Sequence, residues 1–526
     1  MRDFQLPGRS PVFATRGICA TSHPLAASTA VRILQDGGNA VDAAIAAAVL
    51  LGICEPPMTG LGGDCFALIK PPGRESVIAL NGSGRSPAGL DVDRIRASGR
   101  TTMPDRGIET VTIPGAVDAF CRLATDHGRL GLDTLLAPAI HYAEAGVPVG
   151  PRTAFDWARA AERLEGAARR HFLFDGSPPY PGQIFRAPGQ AEVLRRIAKD
   201  GREAFYSGEV AEDMVASLGR AGGSHVAEDF TATACEYSEP ISGSYRDIEL
   251  LEHAPNAQGA TAILMARILA EFDLQPFDPS GAERAHLEAE AGKLAYDARD
   301  RFIGDRDRVT RLDHMLSDTT VRSLAALIDP ERAMPGPRDR TEAVHRDTVY
   351  LAVVDRDLMA VSMIYSVFHG FGSGLASERF GISFQSRGAG FSLRDNLPNT
   401  VAGGVRPLHT IIPAMIRSND RITMPFGVMG GPYQPTGQVR LVTNLVDYGM
   451  DPQTAIDGPR SFWDEGTLLL ERGYPMAVHD HLRDIGHSVS IPEIPHGGAQ
   501  AILIDHDAGV LQGASDPRKD GAAIGY

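Results

Sequence analysis

Apolar residues recur at Ala27, Ala30, Val31 and Leu34, the spacing of one helical face. They predict a helix over residues 24–35, closed by the turn Asp36-Gly37-Gly38. Residues 40–52 are apolar nearly all round, which predicts a buried helix. Residues 60–64 read as a tight glycine turn, and the short apolar runs 66–69 and 77–80 as hairpin strands. Residues 116–218 read as mainly helical, broken by Pro- and Gly-rich loops. Residues 281–302 read as one long helix with Lys293 and Tyr296 on a face. Residues 329–341 are rich in Pro, Arg, Gly and Asp, the composition of a connector or a simple surface loop. Beyond them, residues 349–354, 360–365, 381–384 and 410–416 predict strands, and 437–448 a helix. No internal repeat or low-complexity segment interrupts this pattern.

Composition narrows the class. The chain has 526 residues, 43% hydrophobic and 22% charged, enough for a large core. The net charge is -15 and no basic stripe appears, so no nucleic-acid partner is expected. Five cysteines, an odd number with no CxxC pair, argue against a disulfide framework or a thiolate metal site; buried free thiols are expected. The 16 histidines fall into no metal-ligand spacing, and no metal or cofactor is expected. Met1 to Arg9 contain no apolar core, so no secretory signal is expected, and the apolar run after Ala43 is too short to span a bilayer. A cytoplasmic protein with no membrane partner is the expectation.

Asp347-Thr348 opens the apolar run Val349-Tyr350-Leu351-Ala352-Val353-Val354-Asp355. A hydroxyl residue at the head of a buried strand has two readings. It is a β-branched residue starting a strand, or a nucleophile waiting to become N-terminal. A free N-terminal Thr carries its own base, because its α-amine has a pKa near about 8 and can take the hydroxyl proton.

Motifs along nearly the whole chain bear on that choice. In order they are Ala20-Thr21-Ser22-His23-Pro24, Gly37-Gly38-Asn39-Ala40-Val41-Asp42-Ala43-Ala44, Glu55-Pro56-Pro57-Met58-Thr59-Gly60-Leu61-Gly62-Gly63-Asp64 and Ile113-Pro114-Gly115. Then come Pro240-Ile241-Ser242-Gly243-Ser244-Tyr245-Arg246, Glu290-Ala291-Gly292-Lys293-Leu294-Ala295-Tyr296-Asp297-Ala298-Arg299-Asp300-Arg301, Phe371-Gly372-Ser373-Gly374, Arg406-Pro407-Leu408-His409-Thr410 and Gly430-Gly431. Together they resemble the γ-glutamyltranspeptidase family of N-terminal nucleophile hydrolases. The resemblance implies an α/β (α+β) fold, a four-layer αββα sandwich. It implies a large segment, 1–347, and a small segment, 348–526, cut from one chain at Asp347-Thr348 and kept together as a heterodimer in one intertwined body. Further dimerisation is left open. Many members of the family are exported, so a cytoplasmic location would be a departure.

The resemblance also implies roles. Thr348 would be the nucleophile, first for self-cleavage and then for catalysis. Gly430 and Gly431 would offer backbone N–H groups to the oxyanion; alone, the pair reads as a turn. Ser366 stands at the family's second hydroxyl position and either orients the nucleophile or is a satisfied strand serine. The substrate pocket departs from glutathione-cleaving members. Phe368, Arg387 and Gly390 stand where those members hold an α-ammonium, and His409-Thr410 replaces a Ser-Ser pair. Ser83 takes the place of a carboxylate-binding arginine, with Arg85 two residues on. Arg85 either takes over that role or is a surface turn arginine. His409 either assists proton transfer or packs structurally beside Thr410. A cation at Arg387 favours a substrate carboxylate over an ammonium.

This variant pattern resembles the branch that includes oxamate amidohydrolase and related small-acid amidases. The leading expectation is a self-processing amidohydrolase for a small carboxylate-bearing amide. The alternatives are a γ-glutamyl hydrolase or transferase with a rearranged pocket, a cephalosporin-acylase-like enzyme, and an unprocessed relative that only binds.

Overall fold

Side-chain alternation in the strand Val349–Asp355 sets the layering. Val349, Leu351 and Val353 join one apolar cluster, while Tyr350, Ala352 and Val354 join another. Successive strand residues point to opposite faces, so this strand has a core on both sides. All of its residues are buried. Such a strand needs helices against one face and a second sheet against the other.

The computed structural model, which describes residues 5, 8–335 and 348–526, has that arrangement. One seven-stranded sheet runs Ala522–Gly525, Gly17–Thr21, Val349–Asp355, Ala360–Ser366, Asp64–Lys70, Ile78–Gly82, Glu236–Ser238. The second runs Val12–Ala14, Val510–Ser515, Gly498–Asp505, Arg421–Met429, Ala414–Ser418, Ile248–Glu252, Ile241–Tyr245. Neighbours in both are antiparallel. Helices Pro24–Gln35 and Ala40–Cys54 cover the first sheet; Gly259–Ala270 and Gln434–Val446 cover the second. The fold is the expected four-layer αββα sandwich. Both sheets mix strands from before and after Thr348. Val353 pairs with Cys19 on one side and Val361 on the other.

The helix Ala40–Cys54 is buried at every position, as its all-round apolarity predicts. The long helix runs Ala282–Phe302, capped at Gly281. All five cysteines are buried and free. Among the described residues no helix is long and apolar enough to cross a membrane. Residues 336–341 of the connector and Asp347 lie outside the described residues.

Two strand expectations need correction. Residues 381–384 form no strand, only an isolated bridge of Ser383 with Ala376. Gly381 has φ +67°, and the backbone bonds there are spent on loops, Phe384 N to Leu375 O at 2.9 Å and Gln385 N to Gly62 O at 3.2 Å. The strand expected over 410–416 begins only at Ala414. Pro413 has no N–H for a ladder. Side-chain amides serve the residues before it: Gln258 Nε2 donates to Thr410 O, and Ile412 N donates to Gln434 Oε1.

Candidate active site

Thr348 stands one step before the first paired residue of its strand. Val349 opposes Tyr365, so the next step places Thr348 beside Ser366 at the end of the neighbouring strand. Both share the strand face of Tyr350 and Ile364, toward the second sheet. Their hydroxyls, Thr348 Oγ1 and Ser366 Oγ, are hydrogen-bonded at 3.3 Å. Ser366 Oγ also accepts from Phe368 N at 2.8 Å and from Arg387 Nη2 at 3.2 Å. Arg387 Nη1 donates to Thr410 Oγ1 at 3.1 Å, and its guanidinium lies 4.2 Å from the centre of the Phe368 ring. Arg387 and Ser366 are 0% exposed, Thr348 1% and Thr410 2%. A fully desolvated guanidinium, ordered by two hydroxyls and an aromatic face, therefore stands one hydroxyl away from Thr348.

His409 lies deeper. Its Nε2 donates to Asp64 Oδ2 at 3.1 Å, and its Nδ1 accepts from Ile411 N at 3.4 Å. A backbone N–H can only donate, so the ring is the neutral Nε2–H tautomer. Burial, then the charge of Arg387, holds the His409 pKa well below the usual imidazole range. Asp64 Oδ1 accepts from Gln385 Nε2 at 2.9 Å, Gly84 N at 3.1 Å and Gly115 N at 3.0 Å. Burial raises the Asp64 pKa to about 6, with Arg387 the main opposing influence. Both ring nitrogens of His409 are thus engaged inside the core. The glycine turn before Asp64 permits this packing: a Cβ on Gly62 would lie 2.0 Å from Ser383 O, and one on Gly63 2.5 Å from Ser366 O.

Gly430 and Gly431 follow the strand Arg421–Met429 and precede the helix Gln434–Val446. Their φ values are +113° and +56°, a left-handed turn that glycine adopts without the Cβ penalty. Gln258 Nε2 donates to both Thr410 O, at 2.7 Å, and Gly431 O, at 3.1 Å. Hydrogen bonds therefore run without a break from Thr348 through Ser366, Arg387, Thr410 and Gln258 to Gly431.

This constellation sits in a chain whose residues 26–526 match the gamma-glutamyltranspeptidase family profile. The chain belongs to the gamma-glutamyltranspeptidase family. It is 36% identical to the glutathione hydrolase-like YwrD proenzyme of Bacillus subtilis (strain 168), over 98% of this chain and 99% of that protein. It is 35% identical to the oxamate amidohydrolase proenzyme of Klebsiella pneumoniae subsp. pneumoniae, over 98% and 99%. The crystal structure of the cephalosporin acylase from Bacillus halodurans superposes with a TM-score of 0.93 at 36% identity, covering 100% of this chain and 99% of that one.

Within the family pattern, the fold gathers Thr348, Ser366, Arg387, Thr410 and the glycine pair, with His409 behind them. Arg85 is engaged elsewhere. Its Nη1 donates to Asp305 Oδ2 at 3.1 Å and to Gly404 O at 3.3 Å, and its Nη2 lies 3.7 Å from Glu236, which Arg406 also binds. Its side chain is 39% exposed, against none of Arg387. Sequence reading missed Asp64 as the partner of His409, and Gln258 and Arg299 as supports of the glycine turn. Asp64 stood at the end of a quoted motif; nothing in the sequence marked Gln258.

The histidine spacing also hid one cluster. The fold brings His286, Glu290 and His487 together with ligand-capable atoms within 4.8 Å of one another. The cation on that carboxylate is the ammonium of Lys293, whose Nζ donates to Glu290 Oε1 at 2.6 Å and to Met334 O at 2.8 Å. Glu290 Oε2 accepts from Met334 N at 3.0 Å. The cluster holds the described end of the connector.

Proposed function

We propose that the chain cleaves itself between Asp347 and Thr348, stays assembled as a heterodimer of residues 1–347 and 348–526, and hydrolyses a small amide bearing a carboxylate beside the scissile carbonyl, an oxamate-like acid. One observation carries this: the buried Arg387 guanidinium, one hydroxyl away from Thr348 Oγ1. The short span favours a carboxylate adjacent to the reacting carbonyl. At the positions matched to the family's ammonium-binding groups stand an aromatic ring, a cation and a glycine.

The chemistry follows from donors and acceptors. Phe368 N and Arg387 Nη2 can only donate, and both donate to Ser366 Oγ, which fixes that oxygen beside Thr348. Thr348 Oγ1 donates to Ser366 Oγ at 3.3 Å, and once Thr348 is N-terminal that proton can pass to its own α-amine. A guanidinium nearby disfavours an ammonium there, which lowers the pKa of that amine toward the working range of a base. Thr348 Oγ1 attacks the amide carbon as its proton moves to the amine. Backbone N–H groups of the Gly430-Gly431 turn receive the oxyanion. The tetrahedral adduct collapses, the amine returns the proton to the departing nitrogen, and an ester remains on Thr348. Water, deprotonated by the same amine, cleaves the ester and frees the acid.

The likeness to the Bacillus halodurans acylase supports a second reading, hydrolysis of a larger acyl group that carries a carboxylate and no α-amine. Intact mass and a substrate panel test both. The wild type is expected as two fragments meeting at Thr348, with oxamate-like and dicarboxylic monoamides outrunning glutathione. Thr348→Ala is expected as one chain, inert to every amide. Two fragments from that variant would move the nucleophile elsewhere.

A further inference from the structure

The glycine turn has no conformation of its own to defend. Gly430 and Gly431 both reach φ values on either side of zero at little cost, so the peptide between them can rotate its N–H away from the reacting carbonyl. Hydrogen bonds on the carbonyls of the turn oppose that rotation. Tyr433 N donates to Gly430 O at 3.1 Å, Gln434 N and, at 3.1 Å, Gln258 Nε2 to Gly431 O, and Tyr296 Oη to Pro432 O. Of these donors, Gln258 also holds the other half of the site. The same Nε2 donates to Thr410 O at 2.7 Å, and its backbone N donates to His409 O at 3.0 Å. Its side chain is 0% exposed.

The amide cannot turn over. Arg299 Nη1 donates to Gln258 Oε1 at 2.9 Å, and a guanidinium offers no acceptor. Arg299 is itself fixed by Asp300 at 2.8 Å and lies 4.8 Å from the centre of the Tyr296 ring. Tyr296 and Arg299 are one turn apart on the helix Ala282–Phe302, so a single helix face supports both side-chain donors to the turn.

We propose that Gln258 is a positioning residue that locks the oxyanion-binding turn at Gly431 to the Thr410 wall of the acid pocket, setting both at once against Thr348. The proposal rests on the reading of Gly430-Gly431 as the oxyanion site and extends it: a group that touches no substrate keeps the N–H donors aimed. Its removal lowers turnover while leaving ground-state binding of an acid intact, because the Arg387 guanidinium and the Thr410 hydroxyl keep their own contact at 3.1 Å.

The test uses the full chain carrying Gln258→Met, similar in length without polar hydrogens, and Gln258→Glu, which still accepts from Arg299 but has no hydrogen for the two carbonyls when ionised. Active protein is counted as cleaved chain by intact mass. Steady-state kinetics are measured on an oxamate-type amide and on a neutral activated ester, with oxalate as competitive inhibitor. In both variants kcat is expected to fall about ten- to a hundredfold on both substrates, less than the roughly hundred- to thousandfold for an oxyanion donor removed outright, because the donors are misaimed and not lost. The oxalate inhibition constant is expected to stay within about twofold of wild type, since a shift of that size is under half a kcal/mol. The kcat ratio of Gln258→Glu to wild type is expected to recover on acidification, when the carboxyl regains one hydrogen to donate. Wild-type kcat in either variant would overturn the proposal, as would a loss confined to KM and oxalate binding. Two variants that both fail to fold would assign Gln258 to structure alone and overturn it equally. If oxalate fails to inhibit the wild type, the acid-pocket reading falls, while kcat on the neutral ester still decides the role of Gln258.

Discussion

In the proposed reading substrate choice turns on Arg387, and Arg387→Met is the perturbation that isolates its charge. Met keeps much of the buried volume beside Phe368 and removes the guanidinium. The structure separates two losses. The first is internal: single hydrogen bonds to Ser366 Oγ at 3.2 Å and Thr410 Oγ1 at 3.1 Å. A hydrogen bond from a charged group contributes about 1.5–3 kcal/mol, but Ser366 Oγ stays paired without this donor, since it keeps Phe368 N. The internal loss should therefore fall near the bottom of that range and affect every substrate alike. The second loss appears only when the substrate carries a carboxylate. That carboxylate would enter a pocket whose cation is 0% exposed, and breaking such a pair costs about 2–5 kcal/mol. Some guanidinium donors are already committed to Thr410 and Ser366, so the lower figure applies, about 2 kcal/mol or about thirtyfold in kcat/KM. The assay is kcat/KM on a matched pair, an oxamate-type acid amide and its neutral methyl analogue, after intact mass has shown equal maturation. The acid-to-neutral preference should shrink about thirtyfold in the variant. Equal losses on both substrates would reduce Arg387 to a support for Ser366. Efficient glutathione turnover by the wild type, untouched by the substitution, would refute the pocket argument and restore the γ-glutamyl reading.

Ser366→Ala should slow both self-cleavage and turnover about ten- to a hundredfold without abolishing either, the effect of one lost hydrogen bond to the nucleophile plus a guanidinium left short of an acceptor; time-resolved intact mass and kcat read it, and wild-type rates would make the serine structural. Gly430→Ala should cut kcat about a hundredfold or more, because φ is +113° there and the new Cβ would lie 2.9 Å from the Cα of Gly497; normal kcat would place the oxyanion elsewhere. Glu252 is 0% exposed with neither carboxyl oxygen hydrogen-bonded, and burial raises its pKa well above the usual carboxylate range. The raised pKa makes its contribution to stability greatest below the unfolded value of about 4.3 and erodes it as pH rises above that, by at most about 1.4 kcal/mol per unit. Glu252→Gln should therefore gain in Tm relative to wild type as pH rises from 4 toward 7, and a pH-independent difference would refute the assignment.

What the sequence disclosed follows physical lines. The helix Ala40–Cys54 was legible because apolarity on every side leaves only burial. The strand Val349–Asp355 was legible for the same reason, and the motif carried Thr348, Ser366 and the glycine pair into register. The failures occur where side chains replace ladders. Residues 410–413 look like a strand, yet Gln258, Gln434 and Gln438 serve their backbone groups. No local pattern announces a glutamine that bridges two loops, because both partners are carbonyls more than a hundred residues away. Arg85 shows the same limit from the other side. A glycine-rich turn leaves an arginine's direction open, and it is Asp305 and Glu236, distant in sequence, that claim this one.

The pairing of strands explains how a chain can be built to be cut. The strand that begins just after Thr348 is bonded on one edge to Gly17–Thr21 and on the other to Ala360–Ser366. The second sheet also joins the two segments, with Ile248–Glu252 from before Thr348 paired to Ala414–Ser418 from after it. Met334, on the segment before Thr348, is separately fixed by Glu290 and Lys293. Each side of the 347–348 bond is thus secured by buried contacts that do not pass through it. Breaking that bond would free an amine at Thr348 while leaving both sheets, and the hydrogen-bond chain from Thr348 to Gly431, without any reason to rearrange.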